Sequence, residues 1–388
     1  MTKAAVRIGW IAVALVAAVV AVLGVSNDLL ARRPEVPQSP ATAEIEELRI
    51  AFIERLDPDV ADDRVLPALH GMELALDAAA TAGEPAVDVE LVRIDPWQDP
   101  DGFEEAVRDP RTVAAIGAPY LSGQLALGER LDAAGLPFVS LSANGPDLGS
   151  NGWGGWFRVV ADVADEASAI TRWLEGSGVA ADEVCLSSDA SAGAAPFLHE
   201  FAARLDGRAA ARMRLGPEVG VGELADRVRR AGCDVVVWGG DGSAGGTVVA
   251  ALAGRRAPVV IGGSNLRDPA FAETGGRAAR GALSASSCAD LTTQTRLSAQ
   301  RFVQDYQSQF ARPPGPFAVE AWDATRWLLR AIAEGAVTAG ALVDALRDEL
   351  PFEGLAGTYD PGTDGEPAAG ARAVAIWRLE AGRWVPLA

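Results

Sequence analysis

Short apolar runs and longer stretches with helical spacing alternate along most of this chain. Runs at 48–53, 87–94 and 113–116 read as strands, and the segments 66–80 and 100–107 between them read as helices. A helix at 125–134, stopped by Gly135, leads to a strand at 136–139. After 156–160 the pattern restarts. Helices at 164–174, 195–205, 221–231 and 246–253 then alternate with strands at 183–187, 211–215, 234–238 and 258–261. Strands separated by helices of this length predict parallel sheets covered on both faces, and two such series predict an α/β chain of two Rossmann-like lobes. A helical block at 293–310 and 317–334 and two strands at 373–379 and 384–387 come last, and must return to lobes already begun.

The stretch 113–144 carries the most functional information. A buried strand, a small-residue loop, a helix and a second strand end there in Ser140-Leu-Ser-Ala-Asn144. In open α/β sheets ligands sit at the carboxyl ends of the strands, where helix N-termini and strand ends direct unpaired backbone groups. The pattern therefore points to a small-molecule site.

The amino-terminal segment sets the compartment. Residues 8–25 carry no charge and are preceded by Lys3 and Arg7. That run exceeds the apolar core of a cleaved signal, roughly 7–15 residues, and approaches the length that spans a membrane. With no cysteine nearby to accept a lipid, the expectation is an uncleaved membrane helix within 1–30, a proline-containing tether over 31–46, and an extracytoplasmic remainder. Cleavage near Gly24 or Ser26 would instead release a secreted form. A formal net charge of −19 argues against nucleic acid and anionic lipid surfaces as partners.

Candidate chemistry is sparse. Cys185 and Cys233 fall in or beside strands expected to be neighbours; small buried hydrophobes are the preferred reading, with pairing left open, and an odd count of three leaves at least one thiol free. His70 and His199 have no companions spaced for a metal or a nucleophilic triad, so both read as structural. Gly240-Asp-Gly-Ser-Ala-Gly245 fits a dinucleotide fingerprint between a strand and a helix, but the following strand ends in Gly262-Gly-Ser-Asn265, with no acid for a ribose hydroxyl. No enzyme, metal or cofactor is expected.

Several segments together carry a family resemblance: Leu48-Arg-Ile-Ala-Phe-Ile53 with His70-Gly-Met-Glu-Leu-Ala75, the block 116–148, Trp156-Phe-Arg158, Asp234-Val-Val-Val-Trp-Gly-Gly240, Ala321-Trp-Asp-Ala-Thr325 and 354–365. In this order the chain resembles the periplasmic binding proteins of the branched-chain amino acid type, the solute receptors of ABC importers. The resemblance implies two lobes joined by three crossings, near Val160, Ser286 and Pro361, which close on a ligand. Lobe I would hold 47–160 with 289–361, and lobe II 161–288 with 362–388.

The family's ligand contacts fall at named positions here. Tyr120, Ser122, Ser142, Ala143 and Asn144 match the loops of lobe I that grip a carboxylate, and Ser122, Ser142 and Asn144 keep donors there. Ala192, Asp241 and Ser264 match the lobe II positions that hold an ammonium, and only Asp241 carries a suitable charge; a solvated turn residue is its equal alternative. Trp97 and Phe317 are further potential liners, with core or surface packing the stronger reading for each. The implied partner is an ABC permease. A membrane-anchored sensor or a non-transport scaffold is the alternative, and transport is favoured because only residues 1–7 precede the apolar segment.

Overall fold

The computed structural model of the protein describes residues 47–55, 65–119, 123–143, 145, 148–191, 193–289, 291, 294–348, 351–362, 365–367 and 374–387. The expected membrane helix and tether lie outside the described residues, and no described helix is long and apolar enough to cross a membrane.

Two main sheets organise the described residues. The first contains β1 (Glu47–Ile53), β2 (Asp88–Ile94), β3 (Thr112–Gly117), β4 (Phe138–Ser140) and β5 (Trp156–Arg158), all parallel, in the order β2-β1-β3-β4-β5. Position within the sheet explains each strand's composition. Central β3 is buried along its whole length and is apolar or small throughout, whereas edge strand β2 alternates exposed Asp88, Glu90 and Arg93 with partly buried valines and leucine. Helices α1 (Leu66–Ala82), α2 (Pro100–Arg108) and α3 (Gln124–Ala133) form the connections. Pro67 and Pro100 sit in the first turns of α1 and α2, where a missing N–H costs nothing.

The second sheet contains β6 (Val184–Ser188), β7 (Ala211–Arg214), β8 (Val235–Trp238), β9 (Val259–Gly262) and β10 (Leu283–Ser286), all parallel, with α4 (Val163–Ser177), α5 (Ala194–Arg204), α6 (Val221–Ala231), α7 (Gly242–Leu252) and α8 (Pro269–Gly275) packed around them. Helices α9 (Leu297–Phe310), α10 (Ala318–Ala333) and α11 (Ala339–Asp348) come next, and then a small hairpin, β11 (Phe352–Glu353) with β12 (Thr358–Tyr359). They return to the first sheet's side: α10 lies along α1, where a Cβ on Gly71 would stand 2.1 Å from the Ala318 carbonyl oxygen. The last two strands, β13 (Ala375–Glu380) and β14 (Arg383–Pro386), join the second sheet beside β10. They run antiparallel, so this sheet is mixed rather than wholly parallel. Their two-residue turn places Ala381 and Gly382 at φ 48° and 83°, the left-handed pair whose twist suits a tight hairpin.

Two expectations need revision. Cys185 and Cys233 are joined in a disulfide with Cα atoms 5.7 Å apart, which ties β6 to the start of β8 across a parallel pairing. Buried position alone did not distinguish two thiols from one bridge. Helix α7 begins at Gly242, four residues earlier than expected, because its glycines serve packing: a Cβ on Gly245 would meet the Trp238 indole nitrogen at 2.8 Å, and one on Gly246 the Phe271 carbonyl at 2.6 Å. The glycine spacing that imitated a dinucleotide fingerprint thus lets α7 seat against β8 and α8. Helix α11 and strand β10 were not anticipated.

Candidate functional site: the strand ends beside the crossings

The chain leaves the carboxyl end of β5 and enters α4 after only four residues, 159–162; from the carboxyl end of β10 it passes back at 287–289. Such short passages put the carboxyl edges of both sheets beside the crossings. Direct hydrogen bonds fasten the passages. Ala161 N–H donates to Ser287 Oγ at 2.9 Å, joining the first to the second. Arg158 N–H donates to the Gly365 carbonyl at 3.1 Å, joining β5 to the third. The Arg158 side chain is buried; its Nη2 donates to Glu366 Oε1 (2.9 Å) and to the Gly145 carbonyl (2.8 Å), and Nε lies 2.7 Å from Glu366 Oε2. Trp156 Nε1 donates to the same Glu366 Oε1 at 2.7 Å. The Glu366 carboxylate thus ties β5 to the third passage, and Arg158 also holds the loop after β4.

The second passage is held at one peptide unit. Arg267 Nη1 donates to the Cys288 carbonyl at 3.3 Å, and the Ala289 N–H donates to Glu320 Oε1 at 2.7 Å. Arg267 follows β9 and stacks over Trp377 with its guanidinium carbon 4.0 Å from the ring centroid, whereas Glu320 lies in the first turn of α10. Ser286 belongs to the second sheet; Ala289 and Leu291 pack with Leu74, Phe302 and Val319 on the first sheet's side. Burial, with Glu320 nearby, pushes the Cys288 thiol up to about 12, so it remains protonated and inert at neutral pH.

On the first sheet's edge, Ser140 Oγ donates to Gln124 Oε1 (2.7 Å) and accepts from Ala143 N–H (3.0 Å). Both polar side chains are buried, and they shape the turn that carries Ser142 and Ala143, each half-buried. Gly123 starts α3 at φ 75°. After β2, buried Asp95 accepts the N–H groups of Trp97 (2.8 Å) and Gln98 (3.1 Å), and exposed Trp97 lies under the Arg55 guanidinium. This is the Asx-turn geometry that Asp favours before a helix.

The second sheet's edge is acidic. Asp189, after β6, accepts from Ser191 N–H and Asp241 N–H, both at 2.8 Å, and so couples the loops after β6 and β8. Asp241 itself is exposed and occupies the position before α7, where an acid is favoured by the helix dipole. Ser264 N–H donates to Glu166 Oε1 at 3.1 Å; Glu166 is buried in the first turn of α4.

The expected liners thus separate into groups. Ser142 and Ala143 stand together on one edge; Asp241 and Ser264 stand on the other. Phe317, at the start of α10, is 2% exposed. Tyr120, Ser122, Asn144 and Ala192 lie outside the described residues. Glu166, Asp189, Glu320 and Arg267 escaped the sequence reading. Acids in helix first turns read as ordinary dipole partners, and an arginine after a strand reads as solvated. His70 stacks on Phe310 at 3.8 Å, with Nδ1 3.3 Å from Tyr306 Oη, and His199 is exposed; among the described residues no group of three or more acids, histidines or cysteines is arranged to hold a metal. A cavity of about 790 Å³ opens near Arg108, Arg130 and Thr338, at the amino ends of the strands, and takes no part in this arrangement.

A family model described as periplasmic binding protein matches residues 47–382. The chain belongs to that family. Solved structures similar to it include a substrate-binding protein of an ABC transporter from Desulfitobacterium hafniense in complex with Leu, 20% identical, covering 88% of this chain and 100% of that one, with a TM-score of 0.74. The branched-chain amino acid transporter substrate-binding protein LivJ from Streptococcus pneumoniae, in complex with isoleucine, is 19% identical over the same shares, with a TM-score of 0.76. A solute-binding protein from R. palustris in complex with benzoate is 16% identical, covering 88% of this chain and 95% of that chain, with a TM-score of 0.71. No curated protein matches the chain. At these identities the likeness establishes the two-lobed fold.

Proposed function

We propose that this protein is an extracytoplasmic solute receptor that traps a small polar ligand between two closing lobes and delivers it to an ABC importer. Lobe I would comprise 47–160 with 289–361 and lobe II 161–288 with 362–388. The observation that carries the reading is the pair of short passages, 159–162 and 287–289, bonded to each other through Ala161 and Ser287, with the third segment bonded to β5 at Gly365 and Glu366 beside the carboxyl edges of the sheets. A hinge so placed lets the lobes rock while the strand-end loops meet over a ligand, which desolvates the site and adds contacts from the second lobe. Binding, rather than bond-making chemistry, is the output.

Ligand contacts are assigned to Tyr120, Ser122, Ser142, Ala143 and Asn144 on lobe I, and to Ala192, Asp241 and Ser264 on lobe II. The apolar segment 8–25 is assigned as the export signal and membrane anchor, which holds the receptor beside its permease. A thermal-shift screen of the full-length chain against amino acids, amides, short peptides and aromatic acids tests the function. A true ligand at a hundred times its dissociation constant adds about 2.7 kcal/mol to folding stability. No response from any class would remove the solute-receptor reading.

A further inference from the structure

Trp97 is the exposed exception among the described tryptophans, at 40% accessible. Asp95, 3% exposed, fixes the turn that presents it through two backbone hydrogen bonds, at 2.8 and 3.1 Å. The Arg55 guanidinium carbon sits 5.7 Å from the ring centroid. Arg55 follows the carboxyl end of β1 and Trp97 that of β2, and a Cβ on Gly123, in the loop after β3, would reach the indole Cζ2 at 3.4 Å. Three strand-end loops of lobe I converge on this pair. The chain has 53 acidic residues against 34 basic ones, and many of its arginines are paired with carboxylates; no such contact joins Arg55 to an acid among the described residues.

A guanidinium held within about 6 Å of an aromatic ring, with no acid bonded to it, can still offer its N–H groups to a carboxylate. We infer that Arg55 and Trp97 form a recognition platform on lobe I for a small carboxylate carrying a flat apolar group: the guanidinium edge takes the carboxylate, and the indole face takes the planar part. This inference rests on the solute-receptor reading and narrows its ligand class. It also supplies the cleft with a cation that the serine-bearing loop at 140–143 lacks.

The test is calorimetric titration of the full-length chain with three probes. Benzoate has both features, cyclohexanecarboxylate has the charge without the flat ring, and benzamide has the ring without the charge. Expected for the parent is benzoate binding tightest. Arg55→Gln should weaken both carboxylates by at least about tenfold and leave benzamide unchanged, Arg55→Lys should recover part of that loss, and Trp97→Ala should weaken benzoate more than cyclohexanecarboxylate. Both positions are exposed, so unchanged melting temperatures are expected and would confirm that the variants fold. Parent-like benzoate affinity in Arg55→Gln and Trp97→Ala would overturn the platform. Binding of an uncharged or cationic solute in the thermal-shift screen, with no carboxylate bound, would overturn it while leaving the receptor reading intact; silence across the whole screen would overturn both.

Discussion

Arg267 and Glu320 grip opposite ends of one peptide unit: the arginine donates to the Cys288 carbonyl and the glutamate accepts the Ala289 N–H. The placement follows the peptide dipole, with the cation at the oxygen end and the anion at the hydrogen end. Glu320 is fully buried and Arg267 is 7% exposed, so both charges act in a medium that screens them weakly. Because Arg267 follows the second sheet's β9 and Glu320 starts a helix packed beside the first sheet, this peptide is where the backbone is held from both sides.

Removing that hold should be costly. Glu320→Ala should lower unfolding stability by about 1.5–3 kcal/mol, the usual worth of a hydrogen bond to a charged group. Glu320→Gln, which keeps an acceptor, should retain part of it. Urea unfolding monitored by tryptophan fluorescence reads both values, and equal stability of the alanine variant and the parent would show that the clamp contributes nothing.

The Cys185–Cys233 bridge closes a loop of sequence separation 48. Cross-linking a loop of that length restricts the unfolded chain and is expected to stabilise by about 2–4 kcal/mol. The double variant Cys185→Ala with Cys233→Ala should show that loss. Cys288, whose thiol burial keeps protonated, should resist alkylation in the folded protein, and a thiol count of one in denaturant without reductant would verify the pairing.

The stability that His70 contributes should fall as the pH drops below about 6.5, its ordinary value. Burial, aided by Arg312, lowers the pKa of His70 from its ordinary 6.5. The unfolded chain therefore takes up this proton more readily than the folded one, so the group's contribution is present above the unfolded value and is lost as pH falls through the folded one. Buried Asp323, whose pKa burial raises to about 6, acts in the opposite sense over the same window, so the difference between two proteins carries the test: from pH 7.5 to 5.5 the melting temperature of His70→Phe, which keeps a ring against Phe310, should rise relative to that of the parent. An identical change in the two proteins would exclude His70 as a source.

Ala381 holds a left-handed φ of 48° in the β13–β14 turn. A side chain with a Cβ there costs about 1–2 kcal/mol relative to the right-handed region, and asparagine tolerates it better. Ala381→Asn should raise the melting temperature by about one degree, corresponding to about 0.5–1 kcal/mol in a chain of this length. A lower melting temperature would refute the strain assignment.

Much of the fold was legible because its signals are local. The runs 113–116 and 234–238 are almost wholly apolar, as strands covered on both faces must be, and the intervening helices carry the longer period. The Gly-rich stretch 240–246 misled the reading of α7, since its glycines read as a loop until Trp238 and Phe271 are seen against them. The strand-end loops were legible as a site because any parallel sheet exposes its ligand edge there. Their polar supports were not, because Asp189 and Glu166 carry no spacing signal toward the backbone groups they hold.

By itself, the sequence determined the alternation of strands and helices, the division into two series, the excess of acid that argues against polyanionic partners, and the family to which these segments belong. Each follows from residue type and near-neighbour periodicity. Tertiary structure alone decided the disulfide, the burial of Phe317, the pairing of Arg55 with Trp97, and the clamps on the passages. Arg158 and Glu366 are 208 residues apart, and Ala289 and Glu320 are 31 apart. Such pairs share no local pattern; they meet only when packing of the two sheets has removed water from around them, and it is that desolvation which turns an ordinary arginine or glutamate into a structural tie.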